Sequence, residues 1–473
     1  MTDPTPSPDV PGDAPAPAPL DPEAMLRSRN FVVLLVFAAI IGVFVSLASW
    51  GFLELVHEIQ LEVYEKLPGQ LGFDSVPAWW PLPWLALAGL LTAIAIERLP
   101  GRGGHIPAEG LKTGGPPTKP VELPGVLLAA GATLGLGLVL GPEAPLIGIG
   151  AGVAVWTVQR AKQDAPPQLL LIMGAAGSFA AISVIFGSPI VAAVLVIEAA
   201  GLGGPVLPLI LIPGLIAAGV GSLVFIGMAN WTGLSTSAYS LSALQLPHFD
   251  HITWEIIGWT IVIGLAGGLF TQVVRRLGLG GADLVPKKPW VLIPLAGVVV
   301  AALAILFAHT TTHGVEQVLF SGQEALPGLV SGAGAWSLGA LAMVLLCKGL
   351  AWSASLSAFR GGPTFPAIYL GAAGGIMASH LPGMSLTPAV AVGMAVMLVS
   401  FLKLPLSSVI IATSLTISGG LATGPLIIIG MAVAYLTTLG LEGRLGDRQA
   451  AAESGAPAEQ DAATTAGDGQ PTG

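Results

Sequence analysis

The sequence predicts an all-α polytopic membrane protein, built from two duplicated halves of tilted and broken helices. Three observations carry the prediction. Apolar residues make up 53% of the 473 residues and charged residues only 10%, against about a quarter charged in a water-soluble domain. The chain holds 64 glycines and 39 prolines, more than simple spanning helices need, although membrane helices tolerate both. Two pairs of motifs also recur at nearly the same offset. Every backbone N–H and C=O in lipid needs a partner. So many breakers at membrane depth therefore predict broken helices around a protein-lined or wet pathway.

Residues 1–25 are rich in Pro, Ala and Asp and read as a disordered tail. No basic start precedes an apolar run there, so they are not a signal peptide. Arg27 and Arg29 then precede the first apolar run, which favours a cytoplasmic amino terminus. Apolar stretches follow at 31–57, 80–98, 122–140, 144–160, 167–184, 188–200, 204–229, 252–276, 289–309, 335–358, 365–380, 386–402, 405–419 and 422–440. A full span needs about 20 residues. Several stretches are shorter and start at Gly or Pro, as half-helices or re-entrant pieces do. The membrane domain is expected over 26–446, in halves of 26–230 and 250–446. Residues 447–473 read as a second disordered tail, with no folded regulatory domain. The net charge of −9 says little about partners, because many of the acids lie in the tails. Without a basic patch, nucleic acid is not expected. A single cysteine, Cys347, can form neither an intrachain disulfide nor a cysteine metal cluster, and no cofactor is expected.

The repeat shows in two places. Gly141-Pro142-Glu143-Ala144-Pro145 matches Gly362-Pro363-Thr364-Phe365-Pro366 at an offset of 362 − 141 = 221. Both open an apolar, Gly-rich helix. Downstream, the stretch from Ser188 matches that from Leu404, with prolines offset by 405 − 189 = 216. Duplicated halves with breaks in matching places point to a transport site at the midplane. Pro suits a first helical turn, and Gly lets backbone approach an ion. The free N–H groups and the helix dipole attract anions. Two such starts facing one another form an anion site without full positive charges.

Glu143 is the only charged residue between Gly131 and Trp156. An ionisable residue in a membrane segment marks a functional site. Its carboxylate is itself an anion and can occupy the site it guards. A further glycine-rich turn, Gly103-Gly104-His105-Ile106-Pro107, precedes another expected helix start. His105 there can titrate near neutral pH.

These three blocks, GGHIP (103–107), GPEAP (141–145) and GGPTFP (361–366), resemble the three anion-site motifs of the CLC chloride channels and proton-coupled anion transporters. The family patterns are G-S-G-I-P, G-[KR]-E-G-P and G-x-F-x-P. "FGSPIVAAVLVIEA" (186–199) and "LKLPLSSVIIATS" (402–414) also resemble its helix starts. The resemblance covers about 30–440. It implies inverted repeats and a homodimer with one pathway per subunit. It gives Glu143 the role of the gate that moves with protonation, and it places the anion against Gly104, His105, Ile106, Pro107, Gly141, Ala144, Gly362, Pro363, Thr364 and Phe365.

The chain also departs from the family. Gly104 stands where the family has a serine hydroxyl. Pro363 replaces one of two N–H donors, because proline has none, and the Thr364 hydroxyl is the expected substitute. Pro142 removes another N–H near the outer site. Tyr435 is the only tyrosine near the position of the family's site tyrosine, about three turns early. The acidic pair on the proton path reads Glu198-Ala199 here, which leaves Glu198 as the candidate proton-path residue. Lys348, Arg360 and Lys403 read mainly as structural or inner-vestibule charges, with attraction of anions by Lys403 or Arg360 as the alternative.

The expected function is transport of small inorganic anions, as channel or anion/proton exchanger, in the cell inner (plasma) membrane with both tails cytoplasmic. Chloride is the family default. Fluoride or nitrate transport, or a non-transporting membrane protein, are the alternatives. A membrane-embedded enzyme is not expected: His309 and His313 are four residues apart, but no HExxH accompanies them.

Overall fold

The structure is a computed structural model that describes residues 26–111, 115–233 and 241–454. Regular structure among these is helical, apart from one isolated β-bridge. The first half contains α1 (Arg29–Leu61), α2 (Pro81–Arg98), α3 (Leu123–Gly135), α4 (Glu143–Ala161), α5 (Pro167–Phe186), α6 (Pro189–Ala199) and α7 (Leu207–Thr232). The second contains α8 (Trp254–Leu284), α9 (Pro289–Thr310), the short α10 (Ala325–Ser331), α11 (Leu338–Ala358), α12 (Thr364–Ala378), α13 (Leu386–Leu402), α14 (Pro405–Leu415) and α15 (Thr423–Ser454). Among the described residues, eight helices are long and apolar enough to cross a membrane. Several others, including α12, α13 and the paired α6 and α14, are shorter.

Local chemistry explains where these helices begin and end. Ser28, Ser188, Thr253 and Ser337 cap α1, α6, α8 and α11, each accepting an N–H from the first turn. Proline occupies the first positions of α2, α5, α6, α9 and α14, where its missing N–H costs nothing. α5 ends on Gly187 at φ 59°, and α13 ends on Lys403 at φ 58°. These two left-handed stops are 403 − 187 = 216 residues apart, the offset of the second motif pair.

Boundaries differ from the sequence expectation mostly at polar ends. α1 continues past residue 57 through a π turn, Glu62–Lys66, to Gln70. α8 runs on to Leu284, past the end of the apolar stretch expected at 252–276. α15 continues to Ser454, into the stretch expected to begin the second tail. Its Arg, Gln, Ala and Glu residues are good helix formers. The expected tail at 1–25 and the rest of the second tail lie outside the described residues.

The halves repeat in inverted sense. α4 packs on α5 as α12 packs on α13, and α1 on α7 as α8 on α15. α2 against α9 and α6 against α14 join the halves. At the α4–α5 crossing, a side chain on Gly150 would run into the carbonyl of Gly177, and one on Gly177 into that of Gly150. Gly371 and Gly393 stand in the same reciprocal relation at the α12–α13 crossing. Small residues at a crossing let backbones close together, which drives helix association where lipid removes the hydrophobic term.

Gly393→Leu is therefore expected to lower thermal stability in detergent by about 1–3 kcal/mol or more, as overpacking does. Gly258→Ala, where a Cβ meets nothing within 4 Å, leaves the melting curve unchanged.

Candidate functional site

The site is built where the two repeated motifs meet. Gly141 donates its N–H to the Gly362 carbonyl at 2.7 Å, and Gly362 donates back to Gly141 at 2.6 Å. The bridge is antiparallel, so α4 and α12 leave it in opposite directions. Pro142 (φ −81°, ψ −7°) and Pro363 (φ −90°, ψ −8°) take nearly the same conformation before the two helices begin. The motif glycine amides thus satisfy each other and are not offered to an ion.

Glu143 is the first residue of α4 and is fully buried. Its Oε1 accepts the N–H of Thr364, the first residue of α12. The carboxylate of one repeat therefore sits on the helix start of the other, at the equivalent position in register. A helix N-terminus favours negative charge, and Thr364 retains an N–H that Pro363 lacks. Glycine is required on both sides of this carboxylate, since a Cβ on Gly141 or on Gly362 would overlap it. Two polar atoms remain without a hydrogen bond, Glu143 Oε2 and Thr364 Oγ1, and both are buried.

Cavities lie on both sides. One of about 300 Å³ is lined by Gly103, Gly104, His105, Ala144, Arg360 and Gly361 among others. One of about 450 Å³ is lined by His57, Tyr64, Leu140, Pro142, Gln317 and Glu324 among others. α1 ends beside the second cavity, and Trp80 ties the start of α2 there by donating to the Val63 carbonyl at 2.8 Å. α2 then runs back to the first cavity. The two cavities therefore face opposite ends of the bundle, and Leu140–Ala144 separates them.

The motif at 103–107 is not a helix start of the expected kind. It leads only into a 3₁₀ turn, Pro107–Glu109, and α3 begins at Leu123. Gly104 has φ 96° and ψ −159°, a region essentially reserved for glycine. A serine could not hold this backbone without strain. His105 Nε2 lies 2.6 Å from the Gly110 carbonyl. Gly104 and His105 line the smaller cavity; Ile106 and Pro107 support the turn behind them. Phe365 is buried and stacks on Phe186, with centroids 5.7 Å apart, so its ring serves packing.

Other sequence candidates fall away from the bridge. Glu198, at the end of α6, caps α14. Its carboxylate accepts the N–H groups of Leu406 at 2.9 Å and Ser407 at 2.7 Å, and the Ser407 hydroxyl at 2.6 Å. Ala199 beside it lines a third cavity with Glu109, Arg275 and Lys403. Tyr435 packs against a separate apolar cluster containing Phe249, Ile256 and Val392. Among the described lining residues of the cavities it does not occur. Lys403 pairs with Glu442 at 2.5 Å. His313 stacks on Trp336 at 3.7 Å rather than joining His309 as a ligand pair.

Lys348 was the charge whose surroundings the sequence concealed. Fully buried in α11, its Nζ donates to the carbonyls of Gln317, Val318, Leu319 and Phe320 at 2.9–3.2 Å. It also lies 4.4 Å from the centroid of the Tyr369 ring. Four carbonyls and a π face replace water around the ammonium. The lysine thereby pins the 317–320 segment that lines the larger cavity. An isolated lysine in an apolar helix was the available signal, but its partners are distant in sequence.

A fold of inverted, broken helices with a carboxylate at their crossing defines a class of membrane transport proteins. The family model described as "Voltage gated chloride channel" matches residues 84–439, and the chain belongs to that family. Among curated relatives it is similar to the putative ion-transport protein YfeO of Salmonella paratyphi A, 27% identical over 365 residues, covering 74% of this chain and 81% of that one. The YfeO protein of Escherichia fergusonii is 26% identical over 364 residues, covering 75% and 81%. Among solved structures, a slow cyanobacterial Cl⁻/H⁺ antiporter superposes with a TM-score of 0.67 at 17% identity, covering 89% of this chain and 99% of its own. A CLC-type fluoride/proton antiporter gives 0.61 at 17% identity, covering 86% and 95%. At these identities the superpositions speak to the fold.

Gly104→Ser is expected to destabilise the protein by about 1–3 kcal/mol, the strain of a side chain in that region. The shift in melting temperature, compared with that of Gly110→Ser at another positive-φ glycine (φ 90°) with open space around it, measures how far neighbours add to the strain.

Proposed function

We propose that this protein carries small inorganic anions across the membrane along a path joining the two cavities, with Glu143 as the group that closes it. The observation that carries the reading is the position of the Glu143 carboxylate. It lies buried on the α12 helix start, between cavities that face opposite ends of the bundle. A carboxylate held by an N–H at a helix start occupies the kind of site that binds a small anion. An arriving anion, or a proton taken up by the carboxylate, would release it. Family membership supports the substrate class, and chloride is the first anion to test. Fluoride follows, because a fluoride/proton antiporter shares the fold.

The family's proton path bears on the mechanism. Glu198 is committed to capping α14, and Ala199 supplies no acid. In this reading Glu198, or water in its place, carries the proton of a coupled exchange. We place the protein in the cell inner (plasma) membrane as a homodimer, one path per subunit, with both tails cytoplasmic.

The test is efflux of chloride, nitrate and fluoride from liposomes containing the purified protein, with proton movement recorded alongside. At least one anion moves, and Glu143→Gln changes its rate several-fold while removing its dependence on pH. Absence of all three fluxes, with Glu143→Gln without effect, contradicts the reading.

A further inference from the structure

We infer that Arg360 is an anion-binding residue of the smaller cavity, supplying a fixed positive charge where the motifs have lost their neutral donors. The inference rests on the transport reading for its biology, but its evidence is separate. Arg360 follows α11 and immediately precedes the bridge, and only 8% of its surface is exposed. Its Nε donates to the Arg102 carbonyl at 3.3 Å and its Nη1 to the Phe359 carbonyl at 3.1 Å. A guanidinium has five N–H donors, so most of its capacity is unspent. Among the described residues Nη2 has no hydrogen bond. Among the described residues no carboxylate pairs with Arg360, and the charged group acting on it, Arg102, has the same sign.

A buried charge ordinarily has a partner of opposite sign. This one is a wall of the cavity, beside Gly104 and Gly361. The one described carboxylate on the cavity wall, Glu122, accepts the Lys119 N–H at 3.0 Å and forms no ion pair with Arg360. The fold makes room for the arginine: a Cβ on Gly103 would press on its Cγ at 3.3 Å. Gly103 thus lets the arginine stem pass, and the two backbone carbonyls fix its head against the cavity. The structure supplies no protein anion for the remaining donors, and a small monovalent anion in the cavity fits them by charge and size.

This placement also accounts for the altered motifs. Gly104 has no hydroxyl, Pro363 has no N–H, and the Thr364 N–H is taken by Glu143. A guanidinium replaces weak neutral donors with a charged one, and charge-assisted hydrogen bonds are roughly twice as strong as neutral ones. Its planar fork also suits planar oxyanions better than an ammonium does.

The test measures equilibrium binding of chloride and of nitrate to the purified full-length protein by calorimetry, together with liposome flux against anion concentration. For Arg360→Gln we expect a dissociation constant, and a half-saturating concentration, raised tenfold or more. Arg360→Lys keeps the charge and is expected to bind both anions, with nitrate losing more affinity than chloride. Unchanged binding and half-saturation in Arg360→Gln would overturn the inference. If Arg360→Gln does not fold, Arg360→Lys with wild-type affinities and an unchanged chloride-to-nitrate ratio overturns it equally. If the wild type moves no anion but binds one in an Arg360-dependent way, the transport reading fails and this inference stands.

Discussion

One hydrogen bond between the halves organises the site: the N–H that Thr364, at the start of α12, gives to the Glu143 carboxylate at the start of α4. It depends on the two-way bridge between Gly141 and Gly362, which fixes the distance and register of the two helix starts. It also depends on the absence of side chains at those glycines, since the carboxylate fills the space they leave. The glycine crossings at 150/177 and 371/393 hold each helix start against its supporting helix. Relaxing any of these would displace the buried carboxylate, and a buried carboxylate is costly unless donors replace its hydration.

Much of this architecture was legible in the sequence because it is encoded locally. Proline and glycine mark the helix starts, and the GPEAP/GPTFP pair aligns Glu143 with Thr364 at the offset at which they touch. What could not be read was contact across the repeat. Nothing in the string says that Gly141 and Gly362 bond to one another rather than to an ion. Nor does it say that Glu198 spends its carboxylate on the start of α14, or that four carbonyls wait for Lys348. The helix expected after GGHIP failed for a related reason. Its glycines adopt positive φ to turn the chain under α3, and the turn ends in 3₁₀ geometry. Tyr435 stands near the family tyrosine's place in the sequence, whereas α15 directs it to a different apolar cluster.

The buried charges share a pattern. Lys348 and Arg360 are both cations in apolar surroundings with no carboxylate partner among the described residues. Lys348 is satisfied by carbonyl oxygens and holds a segment of the larger cavity. Arg360 is satisfied only in part and faces the smaller cavity. One cation thus holds a wall of the larger cavity, and the other lies in the wall of the smaller one. Glu143, between them in the order of cavities, is the single fully buried carboxylate of the described residues. A positive field with one displaceable negative group suits weak, reversible anion occupancy, which transport requires.

The central claim is that the position of the Glu143 carboxylate, rather than its mere presence, closes the path. Gly362→Ala tests this most directly, because one methyl group evicts the carboxylate while leaving its chemistry intact. The measurement is initial anion efflux from liposomes for wild type and Gly362→Ala, matched for folded protein by gel filtration. The account predicts faster efflux in Gly362→Ala, approaching that of Glu143→Ala. Efflux equal to or below wild type, with Glu143→Ala fast, would contradict it.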